Sequence, residues 1–201
     1  NHPGSRPGAT NNHMNMRTIL NCAGLLLVSG LMAQGHQISI GADLLMPQGD
    51  FSKEFSLGVG PTVGFEVPVG DKVGITIQAG YDILMLKDEI KEVLDGATII
   101  PAQAGLKYYF QESQSGVYAH AQAGIHAFSE KFKENSLFGL EEETESKTNF
   151  SWAIGAGYQL SKLDIGIRYN MVMAGEEEGE EEGEALSYIG LRIGYILSIG
   201  E

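Results

Sequence analysis

The chain has 201 residues, 43% of them hydrophobic, which is enough for one domain with a leader. Its 13 basic against 26 acidic residues leave a formal net charge of -13, which argues against nucleic acid as a partner. No stretch is long and apolar enough for a mature transmembrane helix, and one cysteine, Cys22, leaves no disulfide to form.

Residues 1–15 carry no apolar periodicity and read as an upstream or non-native extension, with translation starting at Met14 or Met16. Residues 16–33 read as a secretory signal peptide. Arg17 gives it positive charge, Ile19 to Met32 an apolar core, and Leu31-Met32-Ala33 a cleavage site before Gln34. The alternative is an N-terminal amphipathic helix. Cys22 precedes most of the apolar core, whereas a lipid-modified cysteine follows it, so a lipoprotein fits poorly.

From His36 onward the chain alternates. Phe55, Leu57, Val59, Val63, Phe65 and Val67 are apolar, and between them sit Ser56, Gly58, Gly60, Thr62, Gly64 and Glu66. A period of two marks a strand with unlike faces. Eight such runs are predicted: 37–46, 55–67, 73–85, 98–110, 116–128, 149–160, 163–173 and 186–199. Each approaches the length a tilted strand needs to cross a bilayer. The connections alternate between tight (69–72, 111–115, 161–162) and long (47–54, 87–97, 129–148, 174–185). Residues 34–201 therefore read as an all-β domain, an eight-stranded antiparallel up-and-down transmembrane barrel. Short turns and both termini are expected in the periplasm, and long loops outside.

The faces can be assigned from the phase. Ile75, Ile77, Ala79, Tyr81 and Ile83 are expected to face lipid, and Gly74, Thr76, Gln78, Gly80 and Asp82 the lumen. Gln-Ala-Gly occurs at 78–80, 103–105 and 122–124, always with Gln and Gly inward. The same phase sends Asp43, Glu66, Asp82, Lys107, Asp164, Arg168 and Arg192 inside, with His120, Gln122, His126, Gln159 and Asn170. Buried charges must pair. Asp43, Glu66, Asp82, Lys107, Arg168 and Arg192 are therefore expected to form a lumen ion-pair network, and eight strands leave an interior just filled by side chains. Tyr81, Tyr108, Phe110, Trp152, Tyr158, Tyr169 and Tyr195 are candidates for interfacial aromatic girdles.

The phrases ISIGADLLMPQGDFS, GVGPTVGFEVPVGDKVGITIQAGYDIL, IPAQAGLKYYF and LDIGIRYNMVM…LSYIGLRIGYIL resemble the small outer-membrane β-barrel domain proteins of Bacteroidetes-type bacteria, grouped loosely with OmpA/OmpX-like porin families. The resemblance spans about Gln34 to Ile199. It implies a barrel in the bacterial outer membrane and brings no catalytic residues. The chain ends Ser198-Ile199-Gly200-Glu201 and not in the aromatic residue that many such barrels present to the assembly machinery. Tyr195 is the nearest aromatic to that end.

Other chemistry is weaker. Seven glutamates between Glu176 and Glu184 suit weak divalent-cation association, but the tract has no EF-hand spacing and reads as a solvated loop. His120 and His126 lie roughly 20 Å apart along one strand, too far for one metal. Ser129 and Glu130 near His126 suggest a hydrolase only if they converge, and strand neighbours point apart. Gly58 to Gly64 has the wrong spacing for a phosphate loop, and Asn149-Phe150-Ser151 matches a glycosylation acceptor without informing function. The longest loop mixes Phe132, Leu137, Phe138 and Leu140 with charges, as in an extended hairpin or a contact surface.

The leading expectation is a monomeric, non-enzymatic structural or surface-interaction barrel without metal or cofactor. Its partners are outer-membrane lipid, lipopolysaccharide and, during insertion, the barrel-assembly machinery. The alternatives are a small passive porin-like channel and a secreted lipocalin-like carrier whose apolar residues line the interior.

Overall fold

The computed structural model describes residues 36–112, 114–133, 144–174 and 185–199. The leader, Leu137, Phe138, Leu140 and the Glu176–Glu184 tract lie outside the described residues. The strands are β1 (His36–Gln48), β2 (Phe55–Val69), β3 (Val73–Gly80), β4 (Asp82–Leu86), β5 (Leu94–Tyr109), β6 (Gly116–Phe132), β7 (Thr144–Leu160), β8 (Leu163–Val172) and β9 (Leu186–Ile199). One helical turn, α1 (Phe51–Glu54), sits in the first long connection.

All pairings are antiparallel, and β1 closes on β9 through Asp43↔Arg192. β3 and β4 both pair with β2 on one side and β5 on the other, and together form one barrel strand. The break between them falls at Tyr81, whose N–H donates to Pro61 O at 3.0 Å. Pro61 has no N–H to return, so the ladder loses one bond there. The result is the closed eight-strand up-and-down barrel that the periodicity predicts.

The registers fix its girth. A path of paired residues runs Lys107–His120–Gly155–Arg168–Gly190–Leu45–Gly58–Leu84–Ala97 and re-enters β5 ten residues from where it began. Eight strands with that stagger tilt by roughly 40° and enclose a lumen only wide enough for side chains.

The ladders run further than the apolar alternation. β5 starts at Leu94, not at residue 98, because Leu94 pairs with Phe132. β6 and β7 continue as a hairpin through Ser129↔Ser146 to Lys131↔Thr144. The β6–β7 extension is mostly polar from Ser129 to Lys131 and from Thr144 to Thr148, so pairing there leaves no trace in its hydropathy. The 161–162 connection is a two-residue turn closed by Leu160↔Leu163, with Ser161 in the left-handed region at φ 53°.

The outer wall is apolar. Ile40, Val63, Ile77, Ile83, Leu106, Ile154 and Ile193 are all exposed, while Asp43, Glu66, Asp82, Lys107, Asp164, Arg168 and Arg192 are buried inside. In water this would be an inverted protein, and in a bilayer it is the stable arrangement. A lipocalin-like carrier needs the opposite placement, which overturns that alternative.

The lumen is not polar throughout. At the long-connection end the inward rows become apolar, and Leu45, Phe51, Phe55, Leu84, Leu94, Ala97, Ile99 and Val172 form a buried cluster around Tyr188. Phe51, Phe55 and Phe128 meet as an aromatic triad, with centroids 5.1 to 6.2 Å apart. α1 exists to deliver Phe51 into this cap.

Candidate functional site

The inward rows bring two polar layers together beneath the cap. The first lies toward the short turns. Lys107, on β5, reaches Glu66 Oε2 at 2.9 Å and Asp164 Oδ2 at 3.3 Å. Arg192 Nη1 also bonds Asp164 Oδ2, at 3.1 Å, and its Nη2 donates to Ser39 Oγ at 2.7 Å. Two tyrosines complete the layer. Tyr109 donates to Glu66 Oε1 at 2.8 Å and lies 2.7 Å from Gln159 Oε1. Tyr118 donates to Asp164 Oδ1 at 2.6 Å, and Lys107 Nζ stands 4.3 Å from the centre of its ring. Apart from Arg192 Nε, which has no partner among the described residues, two carboxylates, two bases and two phenols thus satisfy one another across β2, β5, β6, β8 and β9. Such satisfaction offsets the cost of burying the charges.

Glycines make the room. A Cβ on Gly157 would stand 2.2 Å from the Tyr118 hydroxyl, and one on Gly74 would stand 2.2 Å from Glu66 Oε1. At Gly157 a Cβ would also press on the backbone, 2.6 Å from Ile165 O, whereas at Gly74 the Glu66 side chain would have to shift.

The second layer lies toward the cap. Arg168 on β8 bonds the Asp43 carboxylate on β1. His126 Nε2 and the Tyr188 hydroxyl are 2.7 Å apart, joining β6 to β9 across the lumen. Asp82 is fully buried here, but neither of its oxygens has a partner among the described residues. The six charged residues singled out from the sequence are therefore divided. Glu66 meets Lys107 directly, Lys107 and Arg192 meet at Asp164, Asp43 meets Arg168, and Asp82 joins no base within bridging distance among the described residues.

Between the layers the Gln-Ala-Gly repeats interlock, with Gln103 opposite Gly124 and Gln122 opposite Gly105. Gln103 donates to Ser151 Oγ at 3.1 Å, and Gln78 to Thr62 Oγ1 at 3.2 Å. Beside Lys107, His120 and Arg192 lies a cavity of about 40 Å³, room for a water or two. At the short-turn end, Gln114 turns its amide under the barrel to bond Gly70 O and Val73 O.

Sequence reasoning missed Tyr109, Tyr118 and Tyr188 as lumen residues. The phase could have found them, since Tyr109 is two residues from Lys107, Tyr118 is two from His120, and Tyr188 is two from Gly190. Of the aromatics proposed for girdles, Tyr108, Phe110, Tyr158 and Tyr195 are exposed near the short-turn end. Tyr81 is exposed at the β3–β4 break, and half-buried Trp152 meets Tyr169 at 6.3 Å between centroids. Ser129 Oγ bonds Ser146 Oγ at 2.7 Å while His126 is held by Tyr188, so a Ser–His pair is not assembled here.

The outer membrane protein beta-barrel domain family model matches residues 23–196. A search of the curated proteins gives no match. Among solved structures, the chain is similar to the N-terminal beta-barrel domain of Pseudomonas aeruginosa OprF, with 14% identity, TM-score 0.56, and coverage of 82% of this chain and 100% of that one. Ail, the attachment invasion locus protein of Yersinia pestis, solved with the heparin analogue sucrose octasulfate, gives 16% identity, TM-score 0.57, and coverage of 82% and 99%. Neisserial surface protein A gives 13% identity, TM-score 0.52, and coverage of 82% and 97%. Identities this low carry the fold alone. The family match spans nearly the whole barrel, and the chain therefore belongs to the outer membrane protein beta-barrel domain family, with the bacterial outer membrane as its location.

Proposed function

We propose that this barrel is a closed membrane anchor that presents its long-connection end outside the cell, in an envelope-integrity or surface-contact role. The observation that carries the reading is the filled lumen. Two polar layers and an apolar cap occupy the interior in series, and the cavity beside Lys107 amounts to about 40 Å³. Conduction of solutes needs a continuous water path, which these layers oppose. The termini and short turns then lie in the periplasm, and the β6–β7 hairpin stands above the membrane.

No catalytic step enters this reading, and its partners are envelope lipid, lipopolysaccharide and the assembly machinery. The finer grouping with Bacteroidetes-type barrels belongs to the same reading. The chain's charge of -13 and its run of glutamates favour a cationic or cation-bridged partner over a sulfated polyanion of the kind bound to Ail.

Planar-bilayer recording of the purified barrel tests the closed lumen against the passive-channel alternative. A silent bilayer is the expected result. Discrete unit conductance from monomeric protein overturns the closed anchor and installs the channel.

A further inference from the structure

Among the described residues, three of the four buried lumen acids have a buried base in reach. Glu66 and Asp164 share Lys107, and Asp43 holds Arg168. Asp82 is the fourth, 0% exposed, with both oxygens unpartnered. A carboxylate in that position is too costly to stand alone, and a buried polar group without a partner calls for a water, an ion or a proton.

The surroundings narrow the choice. Gly60 stands opposite Asp43 on β1, and a Cβ there would lie 2.6 Å from Asp82 Oδ1. Asp82 thus leans over a glycine toward the second carboxylate. Asp43 Oδ1 is also unpartnered, since Arg168 takes the other oxygen. Next to Arg168, Asn170 is fully buried with its amide oxygen and nitrogen both unpartnered. Arg168 and Asn170 lie together over Gly190, where a Cβ would stand 3.1 Å from Arg168 Nε and 3.5 Å from Asn170 Nδ2. Among the described residues, the unpartnered oxygens of this layer are those of Asp82, Asp43 and Asn170, carboxylate and amide oxygens that form the donor set of a hard cation. Two carboxylates and one guanidinium leave a single negative charge. No third histidine, cysteine or carboxylate joins the group among the described residues, so a divalent metal is not called for.

We propose that Asp82, Asp43 and Asn170 bind one dehydrated alkali cation inside the barrel, beneath the apolar cap. The cation neutralises the lumen and ties β1, β4 and β8 together across it.

The test is thermal unfolding of the folded barrel in zwitterionic detergent, in sodium, potassium or choline chloride at equal ionic strength and several pH values. Heat-modifiability on gels verifies the fold of each variant. The wild type should gain about 3 °C in sodium or potassium over choline, saturating with concentration. Asp82→Asn should abolish that gain. Asn170→Ala should move it to higher salt, which keeps the test informative if the first variant fails to fold. Equal midpoints in all three salts overturn the site. A midpoint that follows pH and ignores the alkali cation assigns a proton to Asp82 and also overturns it. Full retention of the salt effect in Asp82→Asn does the same.

Discussion

The Tyr118 hydroxyl donates to Asp164 Oδ1 at 2.6 Å, and it lies against two glycines, Gly157 and Gly166, where a Cβ would stand 2.2 and 2.8 Å from it. Two residues with no side chain thus make room for the tyrosine in the lumen, Gly157 the more tightly. Gly157→Ala should destabilise the barrel by about 1–3 kcal/mol through overpacking. Combined with Tyr118→Leu it should lose less than the sum of the two, with a coupling of roughly 0.5–3 kcal/mol. Urea unfolding in detergent measures both, and strict additivity would show that the contact is absent.

Among the described residues, Lys107 is the one base shared by Glu66 and Asp164. Lys107→Met keeps the volume and leaves Glu66 without a base, with Arg192 as the base that remains to Asp164. The cost should be about 3–5 kcal/mol, as for other broken buried pairs. A loss below ~1 kcal/mol in the same unfolding series counts against a tightly coupled layer.

Phe51 is 3% exposed and meets Phe55 and Phe128. Phe51→Ala should cost roughly 3–5 kcal/mol of packing. Its effect should be local. Amide exchange should accelerate around α1 and the first turns of β2 and β9, with the Lys107 layer unchanged. Uniform acceleration would mean that the cap is not a separate unit of stability.

Ile193 points off the outer wall, 58% exposed. Ile193→Arg should cost about 2–4 kcal/mol near the bilayer midplane and lower the folded fraction in membranes. Ile193→Val should be nearly silent. An arginine tolerated as well as the valine would place this wall in water.

Much of this was legible in the sequence, because a barrel strand writes its two faces into alternate residues. Ile77 outside and Asp82 inside follow from counting by twos. The same counting is blind to depth. Asp43 and Leu45 share one inward row, yet one lies in an ion-pair layer and the other in an apolar cap, and only the stagger of ten assigns each its height. Partners are equally hidden. Asp82 and Arg192 look alike as inward charges, but Arg192 meets Asp164 on the neighbouring strand, whereas Asp82 meets no base among the described residues. Pairing beyond residue 128 escaped because Ser129, Glu130 and Lys131 carry no apolar rhythm, although backbone bonds do not require one.

The most direct measurement is gel mobility of boiled and unboiled protein from washed outer membranes. A closed barrel with a lipid-facing wall resists detergent until heated, so the unboiled sample should run at a different apparent size in the membrane fraction. Recovery in the soluble periplasm with no shift on boiling would contradict an integral barrel, and with it the closed lumen and its ion pairs.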